Sequence, residues 1–326
     1  MSAPLRVALV GAGRMGAHHA RILGSVDGAR LACIHDKHTE RAAELAQRHG
    51  CPMVADLEGV IAGCDAAIVA TSSSAHRAVG RALLEAGIPC LIEKPLATSE
   101  AETVALIDSA QRSGATLLVG HVERFNPAVQ QLASLLEGQR LDALDARRLS
   151  WSSARITDVD VVLDLMVHDL DIVLWLVGKP VARLAASAVQ APGRKGEDYV
   201  TALLSFAGGA MASLTASRVT QTKLRELHLT TSFGYVTVNL ITQEVLVFRH
   251  GEAERGPYHW TNSGNAILDA VMERVLIRNA EPLMVELQHF VDAVRDGTPP
   301  LVTGAQALET LRIAERIRAG VARTHG

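Results

Sequence analysis

The sequence predicts an α/β domain with a doubly wound parallel sheet, followed by an α+β domain with an open, mostly antiparallel sheet. Two observations predict this pair. Residues 5–120 alternate short apolar runs with amphipathic stretches, whereas beyond about residue 140 strand-like segments follow one another through short turns. The length, 326 residues, is also more than one hydrophobic core usually organises. The boundary is placed between residues 122 and 123, with the C-terminal helix free to pack back on the first domain.

The first domain justifies itself run by run. Strand candidates are LRVALV (5–10), RLACIHD (30–36), PMVA (52–55), AAIVAT (66–71), PCLIEK (89–94) and TLLVG (116–120). Helices are expected between them, for example over 40–50 and 99–114. Ser99 caps the second of these, Glu102 completes a capping box, and Gly114 ends it. Apolar strands alternating with helices imply a parallel sheet covered on both faces, wound by right-handed crossovers.

In the second domain a helix is expected over roughly 160–177. Strands are expected at 181–190, 198–207, 210–219, 223–232, 235–240 and 244–250. Gly208-Gly209 between two of them is a tight-turn signal. Helices at about 281–296 and 304–319 close the chain.

Bulk properties exclude several function classes. Charged residues make up 21% and the net charge is −3, so nothing global draws the chain to nucleic acid or an anionic membrane. The longest apolar stretch, Val159 to Val177, contains Asp160, Asp164, His168, Asp169 and Asp171, which is incompatible with a membrane span. The strand that opens the chain leaves no room for a signal peptide, and a cytoplasmic protein is expected. Cys33, Cys51, Cys64 and Cys90 show no zinc spacing and read as reduced structural thiols.

Three motifs carry chemistry. Gly11-Ala-Gly13-Arg14-Met15-Gly16 follows a strand and opens a helix, as a dinucleotide pyrophosphate site requires. An acid, Asp36, stands twenty positions after Gly16, at the end of the second strand. It can accept hydrogen bonds from ribose hydroxyls and would repel a 2′-phosphate, which favours NAD over NADP; the adjacent Lys37 opposes that preference. Glu93-Lys94-Pro95 ends the fifth predicted strand, on the side where such folds bind ligands. Asp164-x-x-x-His168-x-x-Asp171 places three polar groups along one helical stripe, beside an apolar stripe of Leu163, Val167, Leu170 and Leu174. A solvated helix face is the plain alternative for that stripe. A zinc site is another, opposed by the lack of a Cys or second His at ligand spacing. Together the motifs offer a dehydrogenase its parts: NAD as hydride acceptor, His168 as base, and Lys94 to steady the developing alkoxide.

These residues, in this order, resemble the Gfo/Idh/MocA oxidoreductase family over essentially the whole chain. The resemblance rests on GAGRMG (11–16), EKP (93–95), GHVERFNP (120–127) and the Asp164, His168, Asp171 set. It implies a Rossmann domain joined to an α+β domain, homodimers or homotetramers, and a catalytic centre lined by Lys94, Asp164 and His168. It also implies that Thr71 and His76 lie near the cofactor with Glu93, although Ser72 stands where many relatives have Pro. Within the family, residues 120–129 and 158–178 look most like bacterial UDP-N-acetylglucosamine 3-dehydrogenases of amino-sugar lipid A synthesis. Their product suits an aminotransferase. Arg124 and Asn126 are then candidate substrate contacts, with a structural ion pair the plain alternative for Arg124. A free-sugar or inositol dehydrogenase would show the same motifs. A non-catalytic NAD- or sugar-sensing regulator is the alternative from another class.

Overall fold

The computed structural model describes residues 3–151, 160–190, 196–250 and 270–324. The chain divides into two compact units, residues 1–125 with 280–315, and residues 126–279 with 316–326.

In the first unit the elements run β1 (Leu5–Val10), α1 (Arg14–Leu23), β2 (Ala29–His35), α2 (Thr39–His49), α3 (Leu57–Gly63), β3 (Ala66–Val69), α4 (Ser73–Glu85), β4 (Cys90–Glu93), α5 (Glu100–Ser113) and β5 (Leu117–Gly120). The five strands form a parallel sheet in the order β2-β1-β3-β4-β5, with β1 and β3 buried along most or all of their length. Burial on both faces explains why these strands are continuous apolar runs rather than alternating ones. The expected strand at 52–55 shrinks to one parallel bridge, Ile34 to Met53. Pro52 has no N–H to donate, and Met53 lies at the sheet edge, 38% exposed.

Ser99 caps α5 as expected, its hydroxyl accepting from the Glu102 N–H at 3.3 Å. The reciprocal half of the box differs. The Glu102 carboxylate accepts from Thr98, through its N–H at 3.3 Å and its hydroxyl at 2.6 Å, one residue before the cap.

The second unit begins with α6 (Pro127–Leu136) and β6 (Leu141–Trp151). A helical stretch follows whose first turn, Val162–Met166, is a π-helix and whose remainder is α7 (Val167–Val177). Six strands lead on from it: β7 (Val181–Val189), β8 (Tyr199–Phe206), β9 (Met211–Ser217), β10 (Val219–Thr231), β11 (Gly234–Asn239) and β12 (Glu244–His250), with β13 (Ala270–Arg274) closing the edge. The sheet order is β13-β12-β11-β10-β6-β9-β8-β7; β6 and β9 pair in parallel and the other neighbours are antiparallel. Gly208 and Gly209 take φ of +93° and +94° to turn β8 into β9, a conformation that side chains with a Cβ resist.

Two further helices, α8 (Pro282–Asp296) and α9 (Gly304–Thr324), complete the chain. The sequence boundary gave residues 123–326 to the second domain but left the C-terminal helix free to pack back on the first. Residues 280–315 cluster with the first unit. Leu283, Leu287, Phe290 and Val291 of α8 join the same core as β1, β3 and β4, and the Val119 N–H of β5 donates to the Val302 carbonyl at 3.2 Å.

The four cysteines are free. Burial pushes all four thiols up, Cys64 to about 11, which favours the protonated thiol over the reactive thiolate. Among the described residues no helix is long and apolar enough to cross a membrane.

Candidate active site

The glycine loop is built by steric necessity. Gly11 has φ +107°, and a Cβ there would sit 2.5 Å from the Ala70 carbonyl oxygen. A Cβ on Gly16 would collide with the Gly11 carbonyl oxygen, so α1 and the loop can meet this closely only without one. Gly13 differs: a Cβ there would touch nothing within 4 Å. It is exposed, and it caps α1 with no side-chain hydrogen bond. The first N–H groups of α1 therefore lack a capping side chain, and the dipole end they form suits a phosphate.

These groups open on a cleft of about 470 Å³ in the first unit, lined among others by Gly13, Arg14, Met15, Asp36, Thr71 and Ser72. Asp36 is held by two main-chain donors, Ala12 N–H to Oδ2 at 2.7 Å and His38 N–H to Oδ1 at 2.7 Å. A carboxylate has about four acceptor positions, so two remain for ribose hydroxyls. Gly13, the open helix end and the fixed carboxylate together fit an NAD molecule, from whose adenosine ribose hydroxyls the Asp36 carboxylate would accept. Sequence reading singled out Lys37 as the opposing cation. His38 and Arg41 line the same cleft and were missed.

At the end of β4, Glu93 Oε1 lies 2.8 Å from His19 Nε2, and Oε2 accepts the Lys94 N–H at 3.2 Å. Burial works against the Glu93 charge. The bond from His19 and the charges of His19 and Lys94 outweigh it and hold the carboxyl below the usual range. The Lys94–Pro95 peptide is cis. His76, expected near the cofactor, is buried behind the cleft residue Thr71. Its ring bridges the Pro95 carbonyl at 2.9 Å and the Thr71 carbonyl at 3.3 Å, tying the cleft loop to the EKP turn. Burial lowers its pKa, so the ring is neutral and donates to one of these at a time.

In the second unit Asp164 lies in the π turn and His168 in the first turn of α7, both half-buried. The i, i+4 reading assumed an α register throughout. The wider turn replaces it at Asp164, and π turns of this kind recur at functional sites. Asp171, three residues on from His168 in the same helix, is buried. Asp169, which sequence reading passed over, holds the helix down. Its carboxylate accepts from Arg148 of β6 at 2.7–3.1 Å, and both side chains are almost wholly buried. Of the 158–178 stretch, residues 158 and 159 lie outside the described residues.

Arg124 and Asn126, the candidate substrate contacts, are each 1% exposed. Asn126 caps α6, its Oδ1 accepting from the Ala128 N–H at 3.1 Å and its amide donating to the Leu240 carbonyl at 2.9 Å. Among the described residues no group of three or more His, Cys, Asp or Glu is arranged to hold a metal.

Two family models match the chain. The first, an oxidoreductase family with an NAD-binding Rossmann fold, covers residues 5–121, and the Gfo/Idh/MocA C-terminal domain covers residues 134–237. The chain belongs to the Gfo/Idh/MocA oxidoreductase family. It is accordingly an NAD-dependent oxidoreductase with a Rossmann domain and a second, mostly antiparallel domain.

Among members of this family, the chain is 30% identical to UDP-N-acetylglucosamine 3-dehydrogenase of Acidithiobacillus ferrooxidans, over 97% of each chain. The solved structure of that enzyme superposes with a TM-score of 0.88 over 98% of each chain. Myo-inositol dehydrogenase Hyg17 of Streptomyces leeuwenhoekii is 36% identical over 66% of this chain and 70% of its own length. Inositol 2-dehydrogenase of Leifsonia xyli is 27% identical over 97% of this chain and 92% of its own.

Proposed function

We propose that this Gfo/Idh/MocA oxidoreductase oxidises UDP-N-acetylglucosamine to its 3-keto form. The observation that carries this reading is the likeness to the Acidithiobacillus enzyme, which runs through 97% of both chains and through both domains. Inositol oxidation is the second reading, favoured by the higher identity to Hyg17 over a shorter alignment. A panel of nucleotide sugars, free sugars and inositol with NAD, followed at the NADH absorbance, separates them. The first reading expects the highest kcat/KM with UDP-N-acetylglucosamine. A higher value with inositol overturns it, and no turnover of any substrate would favour a sensing role.

Bound NAD supplies the hydride acceptor. In this reading the His168 imidazole takes the proton of the sugar hydroxyl, a task that suits an imidazole as general base. Asp164, in the preceding turn, orients that ring and the hydroxyl. The Lys94 ammonium donates a hydrogen bond to the same oxygen and offsets its growing negative charge. This division of labour calls on no metal, and full activity is expected after extensive EDTA treatment. Arg124 and Asn126 are read as structural, because neither offers a surface to a ligand.

A keto sugar is a substrate for transamination, so an aminotransferase is the partner reaction that fits. A cytoplasmic enzyme is the reading that suits NAD and a nucleotide sugar as co-substrates. A homodimer or homotetramer is proposed through the outer face of the second unit's sheet, where Tyr199, Leu203, Met211 and Tyr235 are 36–46% exposed. That face is more polar than the run LLSFAGGAMASL suggested. Asp145 binds Ser213 and Arg147 between the apolar residues, and His228 binds Tyr235 at 2.8 Å. A single species of monomer mass at micromolar concentration in sedimentation would overturn the oligomer.

A further inference from the structure

Four ionisable residues meet inside the first unit, and the proposed chemistry uses one of them. His19 lies on α1, six positions into the helix that begins at the phosphate loop, and it is fully buried. Its Nε2 faces Glu93 Oε1 at 2.8 Å. An ionised carboxylate only accepts, so the imidazole is the donor. The other Glu93 oxygen accepts the N–H of Lys94. Gly120, paired with Glu93 across β4 and β5, leaves room for this side chain: a Cβ there would lie 3.3 Å from Glu93 Oε2. Glu286 of α8 is also fully buried, with neither carboxyl oxygen hydrogen-bonded. Burial, then the nearby Glu93 charge, raise its pKa well above the ordinary value, so it is the neutral member of the group.

Polar clusters in a core cost stability that apolar residues of the same volume would not. A purely structural tie between α1 and β4 would be better made by packing. What the cluster adds is direction, because it fixes one carboxylate from both ends and that carboxylate holds the main chain of Lys94.

We propose that His19 is a positioning residue for Lys94, acting through Glu93 to couple the dinucleotide-binding helix to the lysine at the end of β4. The hydrogen bond, rather than the volume of the ring, is what matters. The inference rests on the reading of Lys94 as catalytic, so Lys94→Ala is assayed in parallel.

The test compares His19→Gln with His19→Leu under turnover with NAD and the substrate the panel selects. A glutamine amide can present its N–H near the position of Nε2, whereas leucine fills the volume with no donor. His19→Leu is expected to lose kcat by about 10²-fold, the cost of a misplaced catalytic group. The Kd for NAD should stay near that of the wild type, because the phosphate loop is intact. His19→Gln should recover most of the lost kcat. His19→Met, unbranched and adaptable, serves if the leucine variant does not fold. Wild-type kcat in the apolar variants, or equal losses in the glutamine and apolar variants, overturns the proposal. If Lys94→Ala is dead while His19→Leu is active, the positioning role alone fails. If Lys94→Ala itself turns over normally, the reading of Lys94 fails and the inference goes with it.

Discussion

The Asp36 carboxylate accepts the Ala12 N–H at 2.7 Å, so the acid proposed to meet the ribose also holds the main chain of the glycine loop. One side chain thus shapes both ends of the adenosine diphosphate site. Removing it leaves the Ala12 and His38 N–H groups without their charged acceptor and takes away the negative charge that opposes a 2′-phosphate.

Asp36→Ala is therefore expected to weaken NAD binding. Hydrogen bonds to a charged group contribute about 1.5–3 kcal/mol each, which corresponds to a Kd for NAD raised by roughly 10–100-fold. The Kd for NADP should rise less or fall, because Arg14, Lys37 and Arg41 line the same cleft and would then face the 2′-phosphate unopposed. Titration of wild type and variant with both cofactors measures this. Equal kcat/KM of the wild type with NADP and NAD would remove the premise.

Glu286 makes stability depend on pH with an unusual sign. Its folded-state pKa lies well above the ordinary 4.5. Below 4.5 both folded and unfolded forms hold the proton and the residue contributes no pH dependence. Above it the unfolded chain ionises first, so stability falls as pH rises, by about 1.4 kcal/mol per pH unit until the folded pKa is reached. Glu286→Gln removes this slope. The variant should match the wild type near pH 4 and exceed it in stability at pH 7–8, as read from urea unfolding. Parallel stability curves across that range would show that Glu286 ionises normally in the fold.

The strands and the cofactor loop were legible in the sequence because their causes are local. An apolar run buried on both faces, or a glycine under a carbonyl, leaves its mark where it stands. β6 was not legible. Asp142 and Arg148 put charges on the inward parity and break its alternation, yet Leu144, Ala146 and Arg148 all point into the core. Arg148 can do so because Asp169, twenty-one residues later, neutralises it, and no local pattern announces such a partner. His19 and Glu286 were findable. Gly16, His19, Ala20 and Leu23 form one buried stripe of α1, and Glu286 falls among Leu283, Leu287 and Phe290 of α8. A polar residue on an apolar stripe is the signal in both helices.

The Arg148–Asp169 pair anchors the helix that carries His168. Breaking one side of a buried pair strands the other charge, at a cost of about 3–5 kcal/mol. Arg148→Met and Asp169→Leu are each expected to lose that much in urea unfolding. The double variant should recover most of it, because no charge is left alone in the core. Additive losses in the double variant would mean that the two side chains act independently.

The proposed chemistry makes the sharpest demand on Lys94 and His168. Removing a positioned acid–base group typically costs about 10²–10⁴-fold in rate. His168→Ala and Lys94→Ala are each expected to lose kcat on that scale. Both should bind NAD much as the wild type does, because the phosphate loop and Asp36 lie elsewhere in the chain. His168→Ala should also lose the acidic limb of the kcat–pH profile, since that limb reports protonation of the base. Lys94→Ala should keep that limb at its reduced rate, because the ammonium acts by its charge and not by taking the proton. If either variant turns over the selected substrate at near wild-type rate, its role passes to another residue. If the acidic limb survives His168→Ala, the base is not His168.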